Sequence, residues 1–244
     1  MADSVYDLTA LSERLIKERR LKPLAGKIWR AQDLASLHAD LVMAQECLDA
    51  LDALLATPPA DDNLTKSITE ASLFCNAVVL YARATKTKSD EREDYDLRAK
   101  FSPEQKVVHR ELCDLRDKAI AHFGSGGSYL GDWQIERVVL DATIVDDVRV
   151  AVATRRKTLD KKLMARARAQ IEVAREPLRK LSRAQIDELT EELNQLAAED
   201  ATLINAEIHR HPLDLPVMPT SPDAVADARA AREQGYAKGV VRHD

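Results

Sequence analysis

The chain has 244 residues, a formal net charge of −5 and apolar side chains at 45% of its positions. This apolar share supplies a core and excludes a disordered chain, while the negative charge excludes a protein that binds nucleic acid over its whole surface. Glycine and aromatic residues are scarce, and alanine, leucine, arginine and acidic residues are abundant, which favours helices. We therefore expect a mainly α fold, an antiparallel helical bundle.

The first third of the chain predicts three helices. Residues 7–21 have one apolar face, and Pro23 and Gly26 interrupt the pattern after it. Leucine and alanine at three- and four-residue intervals predict a long helix over 30–56, and a similar stripe predicts another over 63–85.

The next helix is predicted over residues 102–122, after a polar connection that reads as a mobile loop. Ser102 is a good N-cap, and Pro103 suits the first helical position. Glycines at 124–127 predict a sharp end to this helix.

The second half of the chain starts with a change in composition. Alternating apolar and polar residues predict a small β-hairpin near 133–152. A helical pattern follows, and we expect Pro177 to kink or end that helix. Ser182 with Gln185 resembles a capping box and predicts a separate C-terminal helix that reaches residue 211.

The three cysteines, Cys47, Cys75 and Cys113, each fall within an apolar helical pattern. Reduced, buried thiols are the simplest interpretation, and they are typical of the cytoplasm. A nucleophilic Cys113 next to a histidine is the less favoured alternative, because no thiolate-activating motif surrounds it. The sequence also lacks the apolar core of a secretory signal and any run of membrane-spanning length, so we expect a soluble cytoplasmic protein.

The segment 115–122 holds the residues best suited to chemistry. Arg116 is a permanent cation whose planar fork of donors matches a phosphate, and His122 can transfer a proton near neutral pH. With Asp117 beside the arginine, these residues favour phosphodiester chemistry without a metal. An ordinary surface ion pair, and a histidine at the carbonyl end of a helix, would explain the same pattern.

Arg116, Asp117 and His122 resemble the signature of the HEPN superfamily, in which an arginine, a polar residue and a later histidine lie on one helix. The segment 71–83 resembles the companion helix of HEPN proteins from bacterial defence and toxin systems, and the likeness covers roughly residues 31–175. One toxin subgroup carries a tyrosine two residues after the histidine, where this chain has Gly124.

The resemblance implies a HEPN-like helical domain over residues 30–181, with an N-terminal helical extension over 1–29, a C-terminal helix over 182–211 and a linker and tail over 212–244. It implies a metal-independent endoribonuclease of an anti-phage or toxin–antitoxin system, with Arg116, Asp117 and His122 as catalytic residues. It also implies a homodimer that pairs two motif helices, and a neutralising or activating protein partner. The alternative is a non-catalytic helical binding or assembly module with a degenerate motif.

Two other features bear on ligands. Lys161, Arg168 and Arg175 lie on a basic helix face that predicts contact with RNA, although a solvated surface would show the same pattern. His209 and His211 lack nearby carboxylate or cysteine ligands, so we expect no metal site and no cofactor.

Overall fold

The computed structural model describes residues 6–57, 63–86, 95–120, 134–141, 149–156 and 159–212. Over these residues the protein is a mainly α helical bundle with one small antiparallel hairpin, which confirms the predicted fold class. The helices are α1 (Leu8–Glu18), α2 (Lys22–Ala56), α3 (Asn63–Thr85), α4 (Pro103–Leu115), α5 (Lys161–Glu199) and α6 (Ala201–Ile208). A 3₁₀ helix (Leu97–Lys100) precedes α4, a π-helical turn (Arg116–Ile120) follows it, and the strands are β1 (Gln134–Asp141) and β2 (Arg149–Arg156).

The chain forms two compact units. The central unit is Leu37–Pro177, and the terminal unit is Met1–Ser36 together with Leu178–Asp244. The predicted domain limits of 30–181 lie just outside those of the central unit. Segments that we predicted as separate appendages, 1–29 and 182–211, belong to one unit.

The core of the central unit comes from the apolar stripes of its helices. Arg83 of α3 pairs with Asp40 of α2, and Tyr81 of α3 bonds to a histidine of α4. These polar contacts accompany burial of the aliphatic and aromatic side chains, which removes apolar area from water and stabilises the bundle. The buried set includes Leu41, Leu48, Leu51, Phe74, Val78, Leu112, Leu115, Leu163, Ile171 and Ala174.

The terminal unit has a small core of its own and a polar cluster. One cluster of its buried apolar residues consists of Leu11, Leu15, Leu24, Ala25, Ile28 and Leu189. Glu207, which is 4% exposed, accepts hydrogen bonds from Arg14 and Arg20. These two ion pairs connect α1 and the residues after it to α6.

Helix α2 begins earlier than the sequence predicted. Lys22 is its first residue, so Pro23 and Gly26 lie inside it and the predicted interruption is wrong. Pro23 occupies the first turn, where its missing N–H has no intrahelical partner in any case. Gly26 is exposed, and the burial of Leu24, Ala25 and Ile28 around it favours the helix over a break.

Helix α5 runs without interruption through Pro177 to Glu199. Of the two outcomes predicted for Pro177, a kink or an end, the end is therefore wrong, and so is the predicted helix start at Ser182. Ser182 and Gln185 are both buried within the helix, and neither acts as a cap. An interior proline costs roughly 3 kcal/mol, and burial of apolar residues on both sides of Pro177 offsets that cost.

The hairpin forms where the sequence predicted it. Its register pairs Val138 with Val152 and Leu140 with Val150, so these four side chains share one face. All four are more than 60% exposed. The connection between the strands lies outside the described residues.

Candidate functional site

The helix that carries the motif starts as predicted. The Ser102 side chain accepts a hydrogen bond from the Gln105 N–H at 3.2 Å, and the Gln105 side chain accepts one from the Ser102 N–H at 2.8 Å. This reciprocal capping box, with Pro103 at the first position, sets the start of α4. The capping box fixes the first residue of α4, and this in turn fixes which side chains of α4 share a face.

The regular helix ends immediately before the motif. Arg116 to Ile120 form a π-helical turn, a geometry that often marks functional sites. On a regular α-helix, residues six positions apart such as Arg116 and His122 would lie on different faces. The turn that begins at Arg116 is not a regular α-helix, and His122 lies outside the described residues.

Arg116 and Asp117 form one polar network with Lys86 at the end of α3. The Arg116 guanidinium donates to an Asp117 carboxylate oxygen at 2.8 Å, and the Lys86 ammonium donates to the other oxygen. About one-third of the Arg116 side chain is exposed. The Asp117 carboxylate therefore holds the Arg116 guanidinium in place, while the Arg116 side chain stays partly exposed.

This network keeps its charges over a wide pH range. Burial alone would raise the pKa of Asp117, but the bonds from Arg116 and Lys86 outweigh it and lower that pKa. The bond to Asp117 raises the pKa of Lys86. Any stabilisation from Asp117 is lost only as pH falls below about 4, and that from Lys86 only as pH rises above about 10.

A cleft of about 740 Å³ lies beside the network, between the 3₁₀ helix and α4. Lys86 lines it and connects it to Asp117. Four cations face the cleft against two carboxylates, which is a local positive excess in a protein with a net negative charge. The lining residues are Lys86, Asp96, Arg98, Ala99, Pro103, Lys106, His109, Arg110, Cys113 and Asp114.

The two buried residues of this lining, His109 and Cys113, are each 4% exposed and are called its floor here. The His109 Nδ1 lies 2.9 Å from the Tyr81 hydroxyl, and the His109 ring contacts Phe101 at a centroid distance of 5.5 Å. Burial, and then the charges of Arg98 and Lys86, lower the pKa of His109. The ring is thus neutral at pH 7, and the floor of the cleft carries no charge.

The thiol of Cys113 lies 3.8 Å from both His109 nitrogens. Burial raises the pKa of this thiol to about 11, which keeps it protonated at neutral pH. A thiolate nucleophile would need the opposite shift. Cys113 is therefore a buried apolar side chain in this geometry, as the simplest interpretation of the sequence had it.

The residues predicted to bind RNA on α5 have acidic neighbours. Arg168 pairs with Asp49 and Asp52 of α2, and Arg175 lies 2.7 Å from Glu172 on its own helix. Lys161 is exposed in the first turn of α5. The bonds from Arg168 lower the pKa of Asp49, so this carboxylate stays charged at neutral pH.

The two C-terminal histidines are engaged within the protein. The Tyr6 hydroxyl lies 2.7 Å from His209 Nδ1, and the Arg14 Nε lies 3.0 Å from His211 Nε2. Within the part of the chain that the structure describes, no group of three histidine, cysteine or acidic residues is arranged to hold a metal ion.

Sequence analysis missed Lys106 and Arg110. They lie one turn apart on the same helix as the motif, and both line the cleft. The four-residue spacing of two cations was a usable signal, because residues at that spacing share a helix face. Lys86 had no such signal, since 31 residues separate it from Asp117.

Among the described residues, no helix has both the length and the apolar character needed to cross a membrane. No family model matches the chain, and neither a curated protein nor a solved structure was found that resembles it.

Proposed function

We propose that this protein is a metal-independent endoribonuclease in which Arg116 and His122 act on the scissile phosphate. One observation carries the proposal. A partly exposed arginine is held by an adjacent carboxylate on a π-helical turn, and a cleft with excess positive charge adjoins it through Lys86. Oriented cations of this kind stabilise the negative charge that develops during phosphoryl transfer.

The reaction we infer is an internal transesterification. The 2′-oxygen attacks the adjacent phosphorus and gives its proton to a base, while the bond from phosphorus to the 5′-oxygen breaks and that oxygen takes a proton. The products are a 2′,3′-cyclic phosphate and a 5′-hydroxyl. His122 is the proposed proton-transfer group, Arg116 stabilises the phosphorane, and Asp117 positions the arginine.

One chain supplies one arginine and one histidine, which is few groups for base, acid and phosphorane contact. A homodimer that brings two copies of the motif together would double the set. A cytoplasmic location, a role in phage defence or a toxin–antitoxin system, and a neutralising or activating protein partner belong to the same proposal. They come from the resemblance of the motif alone.

The decisive experiment is incubation of the purified protein with total RNA in EDTA. Cleavage should leave cyclic phosphate ends. His122→Ala and Arg116→Ala should each reduce the rate at least about 100-fold, the lower bound for general acid–base help. Arg116→Lys should also be poor, because a point charge does not reproduce the planar fork, whereas Asp117→Asn should be milder.

The matched control is Arg183→Ala, which removes another partly exposed arginine that lies 3.3 Å from an aspartate four residues away. This control should cleave at the wild-type rate. Full activity in His122→Ala, or activity that disappears only with EDTA, would contradict both the residues and the chemistry. RNA binding without cleavage would favour the alternative, a non-catalytic binding module.

A further inference from the structure

The cleft between the 3₁₀ helix and α4 has three cations to which the proposed cleavage assigns no individual role, Arg98, Lys106 and Arg110. Of its four cations, Arg98 lies 3.2 Å from Asp96, and Lys86 bonds to Asp117. The second lining carboxylate, Asp114, pairs with Lys118 at 3.1 Å. Both carboxylates of the lining are therefore already engaged with cations.

Lys106 and Arg110 are the cations that remain. Neither forms an ion pair with another of the described residues, and both are exposed. They are four residues apart on α4, a spacing at which like charges repel each other. An anion bound between them would remove that repulsion.

We propose that Lys106 and Arg110, with Arg98 from the 3₁₀ helix, form a binding site for a phosphate group. Arginine presents a planar fork of donors to phosphate oxygens, and lysine adds a compact point charge. Arg98 already pairs with Asp96. Its role in the proposed site is to place a positive charge on the 3₁₀ helix, across the cleft lining from the two cations of α4.

The shape of the cleft supports this assignment. Its volume of about 740 Å³ lies within the usual range for small-molecule sites, and its floor is formed by buried, uncharged groups, His109 and Cys113. A neutral floor does not compete with the ligand for the cations at the rim. The ligand class is a phosphate, either free or esterified, or a phosphate within an RNA backbone.

This site requires neither Arg116 nor His122, so it stands or fails separately from the proposed cleavage. It is tested by titration calorimetry in EDTA, with inorganic phosphate, uridine 5′-monophosphate and a short oligouridylate as probes. Uridine serves as the ligand control because it lacks the phosphate. The oligouridylate carries 2′-O-methyl groups, which remove the attacking hydroxyl, so the wild-type protein and the variants can bind it without cleaving it.

The double variant Lys106→Gln with Arg110→Gln should bind the phosphate probes at least about tenfold more weakly, equivalent to about 1.4 kcal/mol. Lys100→Gln, an exposed lysine of the 3₁₀ helix that does not line the cleft, should leave affinity unchanged. Because the exchanged side chains are exposed, the double variant should keep its helical circular dichroism.

The probes also distinguish the source of the phosphate. Much tighter binding of oligouridylate than of the monophosphate identifies an RNA backbone, whereas equal or weaker binding identifies a free or monoester phosphate. Uridine that binds as well as its monophosphate would overturn the proposal. So would phosphate binding that is absent in the wild type or undiminished in the double variant.

Discussion

His109 shows how one buried side chain couples protein stability to pH. The ring packs between Tyr81 and Phe101, and burial together with the charges of Arg98 and Lys86 disfavours its protonated form. In the unfolded chain the same ring takes a proton below about pH 6.5. The unfolded state therefore binds more protons than the folded state in mildly acidic solution.

We expect the free energy of unfolding to fall as pH drops below about 6.5 toward the lowered pKa of His109. Urea unfolding at pH 7.5 and pH 5.5 measures this difference. His109→Gln should show a smaller loss of stability between the two pH values, whatever its stability at pH 7.5. Equal pH dependence in His109→Gln and the wild type would exclude this coupling.

The site was partly readable from the sequence. Arg116 and Asp117 were found because they are neighbours on one helix, and the structure gives them a shared hydrogen bond. Lys86 could not be found, because its bond to Asp117 depends on the packing of α3 beside the π-helical turn. The ion pairs of Arg168 depend likewise on the packing of α5 beside α2, which a count of basic residues does not reveal.

Helices were predictable where an apolar stripe decided their course. The stripe of α2 from Leu34 to Leu51 is buried as its spacing predicted. Leu64, Ile68 and Val107 belong to the apolar stripes of their helices, and yet each is more than half exposed. Periodicity identifies the apolar side of a helix, but it does not tell how far along the helix a neighbour covers that side.

Gly26 gives a test at the level of a single helix. A Cβ at this position would meet no other atom within 4 Å, and the residue is helical and exposed. Gly26→Ala should therefore stabilise the protein by about 0.5–1 kcal/mol, because glycine loses more backbone entropy than alanine in a helix. Chemical denaturation measures the change. A lower unfolding midpoint in Gly26→Ala would mean that the glycine is needed for another reason.

At the scale of the whole molecule, the hairpin has an uncovered apolar face. An isolated two-stranded ribbon is marginally stable in water. Val138, Leu140, Val150 and Val152 nevertheless share one face and are each more than 60% exposed. Such a face is complementary to a copy of itself, because a two-fold contact places the same residues opposite one another without repulsion.

We expect this face to contribute to self-association. Val138→Lys with Val152→Lys should shift the protein toward monomer in sedimentation velocity at micromolar concentration, because it places like charges across a two-fold contact. Ala153→Lys, on the opposite face of β2, is the control and should not change the distribution. A wild-type protein that remains monomeric over this concentration range would rule out the contact.

Pro177 has a consequence for amide hydrogen exchange. Proline has no amide hydrogen, so the carbonyl of Val173 lacks its usual helical donor at the point where the central unit ends and the terminal unit resumes. Backbone amides before Pro177 belong to the central unit, and those after it belong to the terminal unit. Protection factors should therefore form two groups within one continuous helix, each set by the opening of its own unit.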